Sequence, residues 1–284
     1  MLNGDTELAW RTISILPAAV SFITGIVIYN ISDDAPKGNY TELKANGVFT
    51  NEATLGSSFA NASFNWNTWI LFLQYACSFG VELTMNNAAA LYFRDEFDQS
   101  VQAAGAIASI FGWLNFFARG MGGVFSDAAN HRWGMNGRLW VHTLFMLGEG
   151  LLVLVFANTT SLGGAICALV FFSLCVQAAE GTNYAIVPYV DPLNMGSVCG
   201  IVGAGGNVGA VAFGMGFREL DYKNAFQIMG FGILGSTILS AFILIPGHAG
   251  LFWGQDRPVD PETGKIRDSS KEELKKMMDS VEAI

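Results

Sequence analysis

Apolar residues gather along the 284-residue chain into seven runs, at about 9–31, 68–91, 101–125, 139–158, 162–190, 196–217 and 222–245, separated by polar or turn-forming clusters. A run of about 20 apolar residues is what a helix needs to cross a hydrocarbon core of about 30 Å. Linkers as short as Asn158-Thr159-Thr160-Ser161 imply antiparallel neighbours. A chain in lipid must satisfy its own backbone, so the pattern predicts an all-α membrane bundle of about seven helices rather than a barrel. Two segments fall outside the runs. Residues 32–67 are polar and rich in Gly, Asn, Ser and Thr, and read as a disordered linker or a connection between domains. The tail from Gly254 is charged, and within it Ser270 and Glu273 fit a capping box that opens a short surface helix to about Val281. It reads as a solvated tail, with a partner-docking helix as the alternative.

Composition agrees: 51% of residues are hydrophobic and 14% charged, against about 25% charged in a soluble domain. A net charge of -9 leaves no basic surface to hold a nucleic acid. The distribution of basic residues sets an orientation. If 32–67, 127–138 and the tail after Pro246 face the cytosol, they hold Lys37, Lys44, Arg132, Arg138, Arg257, Lys265, Arg267, Lys271, Lys275 and Lys276, and the opposite side holds only Arg11, Arg94, Arg218 and Lys223. Basic residues are retained inside, so the C-terminus is expected in the cytosol and, with seven spans, the N-terminus outside. Asp5 and Glu7 stand where a signal peptide would carry a basic region. An exported start without a signal predicts that Met1 is an internal methionine of a longer protein, or that the gene model is truncated. Cys77, Cys167, Cys175 and Cys199 all fall in apolar runs without CxxC spacing, and read as free thiols in a core.

Few residues could carry chemistry. Arg119 is the one basic residue well inside a run. A charge there costs about 2.5 to 3.5 kcal/mol on insertion scales, so it normally faces a bundle interior or an aqueous cavity; snorkelling to the headgroups is the alternative. Gly105, Gly112, Gly120, Gly122 and Gly123 on the same run favour a tightly packed face. Asn115, one turn before, could orient the guanidinium, and an unpaired buried guanidinium is a natural receptor for a planar oxyanion. The run Gly200-Ile201-Val202-Gly203-Ala204-Gly205-Gly206-Asn207-Val208-Gly209 has neither the spacing of a nucleotide loop nor a preceding strand. Its glycines permit close helix approach, and would expose backbone amides and the Asn207 carboxamide to a small solute. Glu82, Glu149 and Glu180 lie within runs, where a carboxyl serves a proton relay or pairs structurally. Tyr75, Glu82 and Asn86 share one helix face. Asp127, His131, Arg132 and Arg138 read as a charged cytosolic loop that latches neighbouring helices. Three histidines without ligand spacing suggest no metal, no cofactor and no catalytic set.

Four motifs in order, Phe117-Ala118-Arg119-x-x-Gly122-Gly123-x-x-Ser126-Asp127, Gly137-Arg138-Leu139-Trp140, Gln177-Ala178-Ala179-x-Gly181 with Ile186-Val187-Pro188-Tyr189, and Gly203-Ala204-Gly205-Gly206-Asn207, resemble the nitrate/nitrite porters of the major facilitator superfamily, most of all the algal and plant high-affinity type. Tyr75 with Gly80-Val81-Glu82-Leu83-Thr84 fits the same family. The resemblance covers roughly residues 9–253. It implies a twelve-helix fold of which this chain supplies helices six to twelve: 1–31 as the last helix of the N-terminal half, 32–67 as the cytosolic inter-domain loop, 68–246 as the C-terminal six-helix bundle, and 247–284 as a cytosolic tail. It implies a plasma-membrane, proton-coupled nitrate or nitrite symporter working by alternating access in nitrate assimilation. Its partners would be the missing N-terminal half, an accessory membrane subunit and the bilayer. Arg119 becomes one arginine of a pair that clamps nitrate, Tyr75 an aromatic residue near the anion, and Gly203, Gly205, Gly206 and Asn207 a second nitrate signature. Glu82, Asn86, Asn115 and Glu180 are left as coupling or structural polar residues. The partner arginine and first signature lie in the missing half. A non-transporting nitrate sensor or assembly partner, or a carrier of another small anion, therefore stays open.

Overall fold

The computed structural model describes residues 11–33, 38, 39, 42 and 54–257. It divides into two compact units, Met1–Glu52 and Ala53–Ile284. The first holds α1 (Ile15–Ile31), an apolar helix whose few polar side chains turn back on it, Thr24 Oγ1 donating to the Val20 carbonyl and Asn30 Nδ2 to that of Ile26. The Ser270 capping box lies outside the described residues.

The second unit runs α2 (Leu55–Phe64), α3 (Trp66–Phe97), α4 (Val101–Ala157), α5 (Leu162–Val190), a 3-10 turn (Pro192–Asn194), α6 (Met195–Glu219), α7 (Tyr222–Ile238) and a second 3-10 turn (Leu239–Phe242). Local chemistry sets the helix starts. The side chains of Asn65, Ser100, Ser161 and Asp221 accept from the backbone N–H groups of Asn67, Ala103, Gly164 and Asn224, groups that no helix turn can satisfy. At about 1.5 Å per residue α4 would measure about 85 Å, far beyond one bilayer. It is two arms, 101–133 and 135–157, broken at Gly134, whose φ of +66° glycine alone adopts freely. Asp256, beyond α7, completes the break: its Oδ2 accepts from Met135 N at 2.9 Å, at the start of the second arm, and its Oδ1 accepts from Ala249 N at 2.9 Å.

Three boundaries differ from the sequence expectation. The loop expected over 127–138 is helical on both sides of Gly134, because residues such as Ala128, Ala129, Arg132 and Met135 favour helix and one glycine suffices for the turn. The connection expected over 32–67 contains α2, capped by Thr54. The last run ends as a helix at Ile238 and continues as a 3-10 turn. Among the described residues four stretches are long and apolar enough to cross a membrane, Val101–Ala157, Leu162–Val190, Pro192–Glu219 and Tyr222–Phe242. With its 32 residues α3 has the length, but Gln74, Ser78, Glu82, Thr84 and Asn86 dilute its hydropathy.

Those polar residues mark what the bundle buries. Gln74, Ser78, Glu82, His142, Glu149, Gln177, Glu180, Thr182 and Asn183 are buried, while Phe116, Leu144, Phe231 and Phe242 are exposed. That inversion of a soluble protein suits lipid as the solvent. Aromatic rings, Tyr92, Phe93, Phe156, Phe172 and Phe226 among them, fill one core; Leu71, Tyr75, Ile186 and Val202 belong to another. Of the four free cysteines, Cys167 is exposed rather than in a core. His142 ties the helices together. Its Nδ1 pairs with Thr182 Oγ1 at 2.8 Å and its Nε2 with Gln74 Oε1 at 3.2 Å, and Gln74 Nε2 donates to Ser240 Oγ at 2.8 Å. Leaving such buried partners unpaired costs about 1 to 3 kcal/mol. His142→Ala is therefore expected to lower the unfolding temperature in detergent by several degrees; an unchanged transition would show that the network carries no stability.

Candidate functional site

The site forms where the first arm of α4 and α5 come within backbone contact and α3 brings Glu82 against them. Glycine makes this possible. A Cβ on Gly122 would strike the Ala178 carbonyl oxygen, and one on Gly181 that of Arg119. The two helices therefore touch through bare backbone, which sets Arg119 of α4 beside Gln177 and Glu180 of α5. Of the five glycines expected to make this face, Gly122 alone does so; a Cβ on Gly105, Gly112, Gly120 or Gly123 would meet nothing within 4 Å.

Arg119 is not the unpaired guanidinium that the sequence suggests. It forms ion pairs with Glu82 of α3, at 2.5 Å, and with Glu180 of α5. Its Nη2 also donates to Gln177 Oε1 at 3.3 Å. Asn115 does not hold the guanidinium directly; its Nδ2 donates to Glu82 Oε1 at 2.9 Å and so positions the carboxylate. The two acids differ. Glu82 is 9% exposed with both oxygens engaged, whereas Glu180 is 1% exposed and, apart from its ion pair with Arg119, neither oxygen has a hydrogen-bond partner. Two donors are also unclaimed, Arg119 Nε and Gln177 Nε2. The side chain of Arg119 is 36% exposed, so the guanidinium is open on one side.

An aromatic wall stands beside it. The guanidinium carbon lies 5.6 Å from the centre of the Phe79 ring. Phe79 stacks on Tyr75 at 5.2 Å and 17°, and Tyr75 meets Tyr184 edge-on at 5.0 Å. The glycine-rich run lies behind this wall. A Cβ on Gly206 would strike the Phe79 ring and one on Gly203 the Tyr184 hydroxyl, while Gly205 and Gly209 abut the Phe72 and Ala76 carbonyls of α3. The run is unbroken helix within α6, so its backbone amides serve the helix ladder rather than a solute, contrary to the sequence reading. Its glycines supply closeness. Asn207 and Asn86 are exposed, Asn86 one turn beyond Glu82. Gln177, Phe79 and Tyr184 were not singled out as site residues, yet helix spacing places them: Phe79 is four residues from Tyr75 and three from Glu82, and Gln177 and Tyr184 flank Glu180 at three and four.

At the far end of the first arm, buried Arg138 donates to Asp127 Oδ1 at 2.7 Å and to Ser126 Oγ at 3.1 Å, with its guanidinium 5.2 Å from the Tyr189 ring centre. The expected latch is thus a contact between the two arms across Gly134. Among the described residues no group of three or more His, Cys, Asp or Glu side chains could hold a metal ion.

Residues 4–215 match the Major Facilitator Superfamily. The chain belongs to this family. Within it, the chain is 35% identical to the high-affinity nitrate transporter 2.3 of Oryza sativa subsp. japonica, over 96% of its own length and 54% of the relative's. It is 33% identical to nitrate transporter 2.2 of Chlamydomonas reinhardtii, over 94% and 54%. It is 38% identical to the nitrate/nitrite transporter NrtP of Picosynechococcus sp., over 64% and 33%. These relatives are transporters by name, not enzymes. The chain spans about half the length of the curated relatives it matches. No solved structure matches it. As a family member with four stretches apolar enough to span among the described residues, it is an integral, multi-pass membrane protein.

Proposed function

We propose that this chain grips nitrate, and nitrite as a near relative in shape and charge, within a plasma-membrane carrier that works by alternating access and draws protons in with the anion. The observation that carries this reading is the pair of buried, unpartnered donors, Arg119 Nε and Gln177 Nε2, at a partly exposed arginine beside the Phe79 ring. Nitrate is flat, singly charged and accepts only, so a planar fork of donors next to an aromatic face suits it. Tyr75 and Tyr184 hold Phe79 in place, and Gly203, Gly205 and Gly206 let α6 approach closely enough to support that wall. Asn207 and Asn86, both exposed, are assigned to the anion's path in this reading. The names of the relatives agree with this substrate.

In this reading α1 belongs to an N-terminal half that completes the clamp, 32–67 connects the halves, 68–246 is the C-terminal bundle, and 247–284 lies in the cytosol. An accessory membrane subunit is part of the same proposal. The test is uptake of isotopically labelled nitrate by cells that lack their own nitrate carriers and express the full gene product, with nitrite, chlorate and formate as competitors. Saturable uptake, blocked best by nitrite, is expected. Binding without uptake would favour a sensor or assembly partner, and preferential block by formate a carrier of another anion.

A further inference from the structure

The site holds more acid than its one base can balance. A single guanidinium faces two carboxyl groups, Glu82 and Glu180, in a bundle that lipid surrounds. An anion arriving at Arg119 adds one negative charge, and one proton cancels it whatever the protonation of the empty site. The structure also distinguishes which acid is free to take that proton. Glu82 keeps a hydrogen bond from Asn115 and a close contact with Arg119, so its carboxylate stays supported. Glu180 has Arg119 as its one cation, faces the Glu82 carboxyl, and has no amide donor of its own. When the guanidinium turns to an anion, Glu180 becomes an unpartnered charge at 1% exposure, a state that costs several kcal/mol unless the group is neutralised.

We infer that Glu180 carries the proton that accompanies the anion: it holds Arg119 in the empty site as a carboxylate, and yields Arg119 to the anion as a neutral acid. One O–H bond forms on Glu180 as the anion binds and breaks as it leaves, so proton and anion enter and depart together. The inference rests on the nitrate reading and adds the coupling residue. Other ionisable groups packed about this part of α5 are Tyr75 and Glu82 on α3, Arg119 on the first arm of α4, His142 and Glu149 on the second, Tyr184 on α5 itself and Cys199 on α6. Both ring nitrogens of His142 are already paired. Tyr184 donates its hydroxyl to the Cys199 carbonyl. Glu149 is buried without a hydrogen-bond partner and is the rival for the role.

The test is nitrate binding to the purified full gene product in detergent between pH 5 and pH 8. Uptake of one proton per anion tightens binding by up to about tenfold for each unit the pH falls. Glu180→Gln imitates the neutral acid, so it is expected to bind nitrate at pH 8 as tightly as the unsubstituted protein does at pH 5, with the pH dependence flattened. A gain of affinity cannot come from misfolding. Glu149→Gln is expected to keep the original slope. The proposal is overturned if Glu180→Gln retains the slope, if it loses binding at every pH, or if Glu149→Gln is the variant that flattens it. Absence of nitrate binding by the unsubstituted protein would instead overturn the nitrate reading itself.

Discussion

Replacing Arg119 with alanine is expected to abolish nitrate uptake by the full gene product. The side chain offers the anion a charge, a fork of donors and a plane held over Phe79. Truncating one partner of a desolvated, hydrogen-bonded charge pair costs about 2 to 5 kcal/mol, or a loss of at least about thirtyfold in affinity. Arg119→Lys keeps the charge but loses the fork and the flat face, and is expected to lose most of the uptake as well. Because Arg119→Ala leaves Glu82 and Glu180 facing each other without a counter-charge, it should be compared with Arg119→Ala combined with Glu180→Gln, which removes one of the two acids. The combined variant is expected to reach the membrane in amounts near those of the unsubstituted protein, and neither variant to transport. Uptake at the unsubstituted rate by either would contradict the role given to Arg119.

The second large effect is on folding. A side chain at Gly209 would drive its Cβ into the Ala76 carbonyl oxygen, and one at Gly80 would strike the Gly209 backbone in return. These clashes are backbone against side chain, so no rotamer relieves them, and overpacking of this kind costs about 1 to 3 kcal/mol or more. Gly209→Leu is expected to reduce the monodisperse, detergent-solubilised protein severely, as seen by size-exclusion chromatography. Gly200→Ala lies on the same helix, where a Cβ meets nothing within 4 Å, and is expected to be tolerated. Equal yields from the two would refute the contact between α3 and α6.

That contrast also shows what sequence could and could not reveal. Spans were legible because lipid demands long apolar runs, and α5 occupies the predicted 162–190 residue for residue. Arg119 was legible as a rare charge in such a run. Its partners were not, because pairing depends on which helices touch, and that is decided by Gly122 and Gly181 meeting backbone rather than by any periodicity within one helix. The same blindness made every glycine of the 200–209 run look alike, although some abut α3 and Gly200 faces open space. The break at Gly134 was hidden for a further reason. It depends on Asp256, more than a hundred residues away in the chain, to cap the second arm. Tyr75 and Glu82 are both buried on α3 whereas Asn86, expected on the same face, is exposed, and one turn's spacing from Tyr75 adds Phe79.

The central claim is that the anion sits on Arg119 by displacing a carboxylate. A cryo-electron microscopy map of the full gene product with saturating nitrate tests it most directly. Density is expected for a planar ligand within hydrogen-bonding distance of Arg119 and Gln177, beside the Phe79 ring, with Glu180 withdrawn from the guanidinium and Glu82 still held by Asn115. Nitrate bound elsewhere, with the ion pair between Arg119 and Glu180 intact, would contradict it.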